Sequence, residues 1–287
     1  MTPAVSILVP FFNGERFFGE AIASIFCQTY RDWELLLIDD GSADSSTAYA
    51  KRLAEEQPNR IRYIHHPGRN NRGLPASRNL GLQNARGQHL AFLDVDDVWR
   101  PTKLEKQVAV LNAHPEVSMV YGPLMLWHGW TGRTDDEQLN YVCPMGGAYD
   151  RVIPPPEMLL RQIKICDGLP GPCSVLLKRE VAQHVGGFDE SFGMYEVEVF
   201  FSKIALKYPV YVTSEVLDLY RQHPDSMCSR AIESGDYVLD PNIPNKSRRA
   251  YLKWLTTYLK EVGNSHEMLS DALNGQVLRY KAAGLWD

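Results

Sequence analysis

Asp94-Val95-Asp96-Asp97 sets three carboxylates at the end of an apolar run, Leu90-Ala91-Phe92-Leu93. Acids two apart at a strand end can share a divalent cation, and that cation can bridge phosphate oxygens. A polar strand end leading into a helix cap uses the same residue types. Crowding favours the cation, because neighbouring acids repel unless positive charge is bound among them. A second acidic pair, Asp39-Asp40, precedes Gly41-Ser42. Such acids can accept hydrogen bonds from a ribose or a base N–H; a turn with a helix cap, or a receiver-type phosphoacceptor, would place them similarly. Arg72 and Arg78 lie just upstream of the Asp94 strand. A guanidinium there can hold a diphosphate through paired hydrogen bonds, the plain alternative being a solvated arginine on a helix face.

These side chains need a frame that brings them together. Residues 5–9 (VSILV) and 33–38 (WELLLI) are continuous apolar runs, the pattern of strands buried on both faces of a parallel sheet. Shorter strands are predicted at 61–64 and 89–93, with helices over 15–28, 45–56 and 75–84. This alternation within about 95 residues implies a doubly wound sheet with right-handed crossovers. Ligands then bind beyond the carboxyl ends of the strands, where Phe11-Phe12-Asn13, Asp39-Asp40 and the Asp94–Asp97 cluster all fall. Further on, helices are predicted at 103–113, 181–185 and 196–206, and strands at 117–121, 175–177, 210–213 and 216–220. Residues 128–157 read as an excursion and 229–247 as loop. Two helices, 248–262 and 265–282, close the sequence.

In order and spacing, VSILVPFFN, ELLLIDDGSADSS, GLPASRNLGLQNARGQHLAFLDVDD and WRPTKLEKQV resemble the signature of family 2 glycosyltransferases with the GT-A fold. GPCSVLLKREVAQHVGGFDESF, EVEVFFSKIALKYPVY and LDLYRQHPDSM continue it, so the resemblance covers residues 4–228. It implies a GT-A α/β fold with a mostly parallel central sheet. The nucleotide-binding half would span about 1–100, the acceptor half 101–228, and a helical extension 229–287. It also implies inverting transfer of a sugar from a nucleotide diphosphate, usually uridine diphosphate, with Mn²⁺ or Mg²⁺, to a glycan or lipid-linked acceptor. Carried over by position, Pro10, Phe11, Phe12, Asn13 and Glu15 correspond to the first nucleotide-binding loop. Asp39 and Asp40 correspond to the acids at the nucleoside, Arg72 and Arg78 to the basic segment near base and phosphate, and Asp94 and Val95 to the ribose motif. Asp96, with Asp94 and the late His223, corresponds to the metal site.

The sequence departs from the family at the base. Where the family has Glu-Asp at the start of a helix, this chain has Glu196-Val197-Glu198, and a valine takes no proton. Glu196, through a one-residue shift, or Glu198 is left as the candidate, or the protein is a catalytically weak binding relative. The two glutamates lie about 200° apart on an ideal helix, which predicts that one of them is exposed. A sugar nucleotidyltransferase is disfavoured because FFNGER stands where a Gly-rich basic phosphate loop would follow the first strand. A dinucleotide dehydrogenase lacks its G-x-G-x-x-G.

Composition narrows the rest. Thirty Lys and Arg against 35 Asp and Glu give a net charge of −5 over 287 residues, a poor match to bulk binding of a nucleic-acid backbone. The five cysteines (27, 143, 166, 173, 228) show no C-x-x-C pair and read as free, mostly buried thiols of a reducing compartment. His65, His66, His114 and His184 read as surface or loop residues. No signal peptide or membrane-spanning run is recognised, which implies a cytoplasmic protein, with peripheral contact at the inner membrane face as an option. From 246 to 262, Tyr251, Leu252, Trp254, Leu255, Tyr258, Leu259 and Val262 form an apolar stripe beside Lys246, Arg248, Arg249, Lys253 and Lys260. Such a helix packs on the body or on a second copy, or lies in a membrane interface.

Overall fold

β1 (Val5–Phe11) is buried along its whole length because it lies between two parallel neighbours, β2 (Trp33–Asp39) and β4 (His89–Phe92). That placement is why its apolar run is unbroken rather than alternating. A computed structural model describes residues 2–147, 149–164, 168, 170–238, 240, 243–263 and 266–286. α1 (Glu15–Phe26), α2 (Ser46–Glu56), β3 (Ile61–His65) and α3 (Leu74–Asn84) complete the first half. β5 (Val98–Trp99) and α4 (Lys103–Ala113) then lead to β6 (Met119–Tyr121).

The main sheet runs β3-β2-β1-β4 and continues through β10 (Leu176–Lys178), β6, β11 (Val210–Val212) and β9 (Arg151–Ile153). It is parallel from β3 to β4, as the alternation predicts. β10 is wedged antiparallel between β4 and β6, and β9 closes the edge antiparallel to β11. A second, smaller sheet has the order β5-β12-β7-β8, with β7 (Met125–Trp127), β8 (Tyr141–Val142) and β12 (Asp218–Arg221). This sheet carries the chain to His223.

The segment 128–157 is therefore not all excursion. It holds α5 (Thr134–Glu137), β8 and β9 and leads into α6 (Glu157–Lys164), and Ile153, Met158, Leu159 and Ile163 are core residues. Strands of two or three residues paired with distant partners leave no periodicity to read. Between β10 and β11 lie α7 (Arg179–His184) and α8 (Glu196–Ala205), whose Phe200 and Phe201 are core as predicted. The region read as loop from 229 opens inside α9 (Met227–Glu233).

α10 (Lys246–Glu261) and α11 (Glu267–Ala282) form the tail. Tyr251, Leu252, Leu255 and Leu259 bury the stripe in the same apolar cluster as Leu8, Phe92 and Phe200. Tyr251 shares a 2.9 Å hydrogen bond with Ser202, and Arg248 donates to the Ile163 carbonyl at 3.1 Å. Arg248 is thus buried rather than part of a basic face, while Trp254 and Tyr258 are half-buried and Val262 is exposed. Among the described residues no helix is long and apolar enough to cross a membrane. The thiols correct another expectation. Cys173 is buried, Cys143 and Cys228 are half-buried, Cys27 is exposed, all four are free, and Cys166 lies outside the described residues.

Candidate functional site

A cavity of about 930 Å³ opens at the carboxyl ends of β1, β2 and β4. Pro10, Phe11, Phe12 and Asn13 line it from the β1 loop, Asp40 from the β2 end, Arg78 from α3, and Asp94, Val95 and Asp96 from the β4 end. Glu196, Val197 and Glu198 of α8 and His223 beyond β12 line the opposite walls. Three of the residues assigned to nucleotide binding do not line it. Asp39 is fully buried and turned into the fold, where it accepts from the Gly41 and Ser42 N–H groups and from Thr47 and Tyr63. Burial pushes its pKa up, but those hydrogen bonds more than offset this and hold it below the usual carboxylate value. Glu15 accepts from the Ser45 N–H and hydroxyl, away from the cavity. Arg72 is exposed and contributes a backbone N–H.

The loops are tied to one another by polar side chains. Asn13 adopts φ 51°, tolerated by asparagine, and accepts from the Ala43 N–H at 2.8 Å, which fastens the β1 loop to the β2 loop. Phe12 stays half-exposed at the rim. Asp40 accepts from the Arg72 and Gly73 N–H groups at 2.8 and 3.0 Å and so orders the start of α3. His66 is not a surface residue: it is buried 3.6 Å from Asp40 and bonded to Ser77.

Arg78 is completely enclosed and makes two ion pairs. One Nη donates to both Asp94 oxygens (2.8 and 3.1 Å) and the other to Glu196 Oε1 at 2.9 Å. The guanidinium predicted for a diphosphate is therefore already held by two carboxylates. Glu196, 4% exposed, is occupied by that pair. Burial raises its pKa and the Arg78 charge opposes the rise. Glu198 is half-buried and also faces the cavity, so neither glutamate is the exposed one that helical geometry predicts. The reason is that the cavity wraps around the first turn of α8. Burial, reinforced by the Glu196 charge, pushes the Glu198 pKa from 4.5 up to about 7. Tyr195, just before them, takes the left-handed φ 68° and is held there by stacking on Tyr251 at 5.6 Å.

At the β4 end, Asp96 Oδ2 lies 3.0 Å from His223 Nε2. This is a hydrogen-bond distance, and it is also about the 3.0 Å that separates adjacent ligands of an octahedral cation with bonds of about 2.1 Å, so the two atoms are spaced to act as ligands of Mn²⁺ or Mg²⁺ in place of that hydrogen bond. The buried His223 Nδ1 has no hydrogen-bond partner among the described residues. Asp94, Asp97 and Cys173 also bring ligand atoms within 4.8 Å of one another. That trio suits such a cation less. Asp97 and Cys173 are buried and bonded together at 3.0 Å, and a hard cation prefers oxygen to thiol. Burial and the charges of Asp96 and Asp94 push Asp97 well above the usual carboxylate pKa. The sequence reading assigned no role to Cys173 or Arg221, and the one available signal was the nearness of Arg221 to His223.

The profile of glycosyl transferase family 2 matches residues 6–168, more than half of the chain. The chain belongs to that family. Glu196, Glu198 and His223 lie outside the matched stretch. An uncharacterized glycosyltransferase of Rickettsia felis is 28% identical over 226 residues, 78% of this family 2 chain and 35% of the relative. A putative glycosyltransferase of Bacillus subtilis, EpsE, is 41% identical over 118 residues, 41% of this chain and 42% of EpsE. The chain thus spans about a third of the length of the Rickettsia felis relative. Among solved structures, TarS of S. aureus (residues 1–349, with UDP-GlcNAc) aligns over 97% of this chain and 72% of its own at TM-score 0.67 and 16% identity. A mannosyltransferase of Pyrobaculum calidifontis, solved with GDP-Man and Mn²⁺, aligns over 99% and 76% at TM-score 0.60 and 17% identity. At these identities the likeness establishes the fold, GT-A.

Proposed function

We propose that this family 2 glycosyltransferase transfers a sugar from a nucleoside diphosphate donor, a uridine diphosphate sugar in our reading, to a glycan or lipid-linked acceptor with inversion. The observation that carries the proposal is the opposition, across one cavity, of a carboxylate with a near-neutral pKa and a carboxylate–imidazole pair at cation-binding spacing. The structural neighbours solved with UDP-GlcNAc and with GDP-Man and Mn²⁺ support a nucleotide-sugar donor. Phe12 at the rim is placed to cover a base, and Asp40 keeps lone pairs for a nucleoside donor group.

Asp96 and His223 would hold a divalent cation, which offsets the charge of the departing diphosphate. Glu198 is the proposed base rather than Glu196. Protonating Glu196 would undo its ion pair with buried Arg78, whereas a carboxylate with pKa about 7 accepts a proton near neutral pH. Glu198 takes the acceptor hydroxyl proton while that oxygen forms its bond to the anomeric carbon from the face opposite the diphosphate. The carbon–oxygen bond to phosphate breaks with its electron pair leaving on the diphosphate, and the configuration inverts.

The test is a nucleotide-sugar panel read by Mn²⁺-dependent thermal stabilisation and by donor hydrolysis. Stabilisation by at least one nucleoside diphosphate sugar, lost on Asp96→Ala, is the expected outcome; a panel without effect refutes the reading. Val197 facing the cavity favours a second reading, a binding relative without turnover. That reading gains if donor binds but hydrolysis is absent and unaffected by either glutamate variant.

A further inference from the structure

Arg221 is 2% exposed, and its guanidinium lies among three aromatic rings: Phe17 at 4.5 Å, Trp127 at 4.6 Å and Trp130 at 5.2 Å from the centroids. Burying a guanidinium costs desolvation energy, and the ring faces offset part of it. From this cage the residue makes three directed bonds. Nε donates to the Asp96 carbonyl at 2.7 Å, Nη2 donates to Glu20 at 2.5 Å, and the backbone N–H donates to Asp97 Oδ1 at 2.9 Å. His223 follows two residues later, and its ring packs on the same Phe17 at 4.8 Å. The intervening Gln222 is fixed as well, through its carbonyl to Trp130 and its N–H to the Trp127 carbonyl.

The choice of acceptor matters. Arg221 binds the main chain of Asp96, not its carboxylate, so it orients that residue without neutralising it. The Asp96 carboxylate is left to the cavity, with one oxygen beside His223. We infer that Arg221 is a positioning residue that sets the distance between Asp96 and His223, by clamping the strand end that carries one to the strand that leads to the other. This rests on the reading of Asp96 and His223 as the cation pair. Lysine in its place would keep the charge in the cage but could not span the Asp96 carbonyl and Glu20 at once, because the planar fork is lost.

The experiment measures uridine diphosphate affinity of the full chain with Mn²⁺ and with EDTA, the ratio being the metal's contribution, alongside thermal unfolding in EDTA. Supporting groups behind metal ligands typically change metal affinity about 10–100-fold. Arg221→Lys should therefore cut the ratio at least about tenfold while leaving the EDTA affinity unchanged. Glu20→Gln, at a half-exposed side chain whose amide oxygen can still accept from Arg221, should cut it in the same direction by less; if Arg221→Lys does not fold, Glu20→Gln decides alone. Asp96→Ala is the reference and should abolish the ratio. A normal ratio in both Arg221→Lys and Glu20→Gln, with Asp96→Ala defective, overturns the inference and leaves the cation pair standing. A parallel fall of the EDTA affinity and the unfolding midpoint in Arg221→Lys overturns it in favour of a purely structural residue. No Mn²⁺ effect in the unaltered chain, or one that survives Asp96→Ala, overturns the inference and the cation pair together.

Discussion

At the scale of single residues, Glu198 is the side chain whose ionisation has the most to say. Its pKa rises from 4.5 to about 7 through burial and the charges of Glu196, with Arg248 and Arg78 opposing. A group whose folded pKa is raised contributes stability that is fully present below 4.5 and lost as pH climbs through about 7. Glu198→Gln does not titrate, so its stability relative to the unaltered protein should be greater at pH 8 than at pH 5. The expected difference is on the order of 1–3 kcal/mol, less if the cavity hydrates the carboxylate. In the same variant turnover should fall about 100-fold or more with donor affinity unchanged. Chemical denaturation at the two pH values and steady-state kinetics check both statements, and a variant with normal turnover refutes the base assignment. Glu196→Gln leaves the enclosed Arg78 with Asp94 alone and should destabilise the fold by about 3 kcal/mol or more. The types of these residues were legible in the sequence, because acids at strand ends are conspicuous. Their use was not: nothing in the sequence says that Asp39 turns inward to Thr47 and Tyr63, or that Arg78 is bound by two acids before any ligand arrives.

At the scale of elements, long periodic segments were read correctly, and α4 matches its predicted bounds. Among the elements that escaped, β7, β8 and β9 did so because pairs across the second sheet and at the sheet edge are dictated by partners far away in sequence, and β5, α5, α6 and α9 were not read either. One such long-range match joins α4 to β12. Lys103 and Asp218 are both enclosed. Lys103 donates to Gln107 at 2.5 Å, and neither Asp218 oxygen has a hydrogen-bond partner among the described residues. Burial pushes the lysine pKa down and the aspartate pKa up, and each charge opposes the other's shift. Lys103→Met strands the carboxylate and should cost about 3–5 kcal/mol at pH 8. At pH 5 the cost should shrink, since Asp218 takes a proton there and no bare charge remains. Adding Asp218→Asn should restore most of the stability at pH 8. Denaturation of the three variants at both pH values decides it; an equal cost at pH 5 and pH 8 would contradict the pairing.

At the scale of the whole molecule, the sequence suggests a catalytic domain followed by a helical extension that packs on it, on a second copy or on a membrane, and the packing argues for a core shared with the domain. Leu252 and Leu255 are fully buried with residues of β1, β4 and α8, and Tyr280 of α11 lies in the same cluster. α10 also supplies Tyr251, which braces the strained Tyr195 at the entry to α8 and so stands behind Glu196 and Glu198. With its stripe spent on packing, α10 should not sediment with anionic vesicles, and co-sedimentation lost on Trp254→Glu would revive membrane contact. The stronger test is cooperativity. Leu252→Ala removes buried methyl groups from the shared cluster and should cost about 2–5 kcal/mol. Because the tail and the sheet have one core, that loss should fall on the entire fold. Far-UV circular dichroism and loss of uridine diphosphate binding should then report the same lowered midpoint. Were the tail an independent unit, helix signal would melt first at temperatures where the nucleotide still binds normally. The same substitution should also leave uridine diphosphate affinity unchanged at temperatures where the chain is folded, since Leu252 touches the core rather than the cavity.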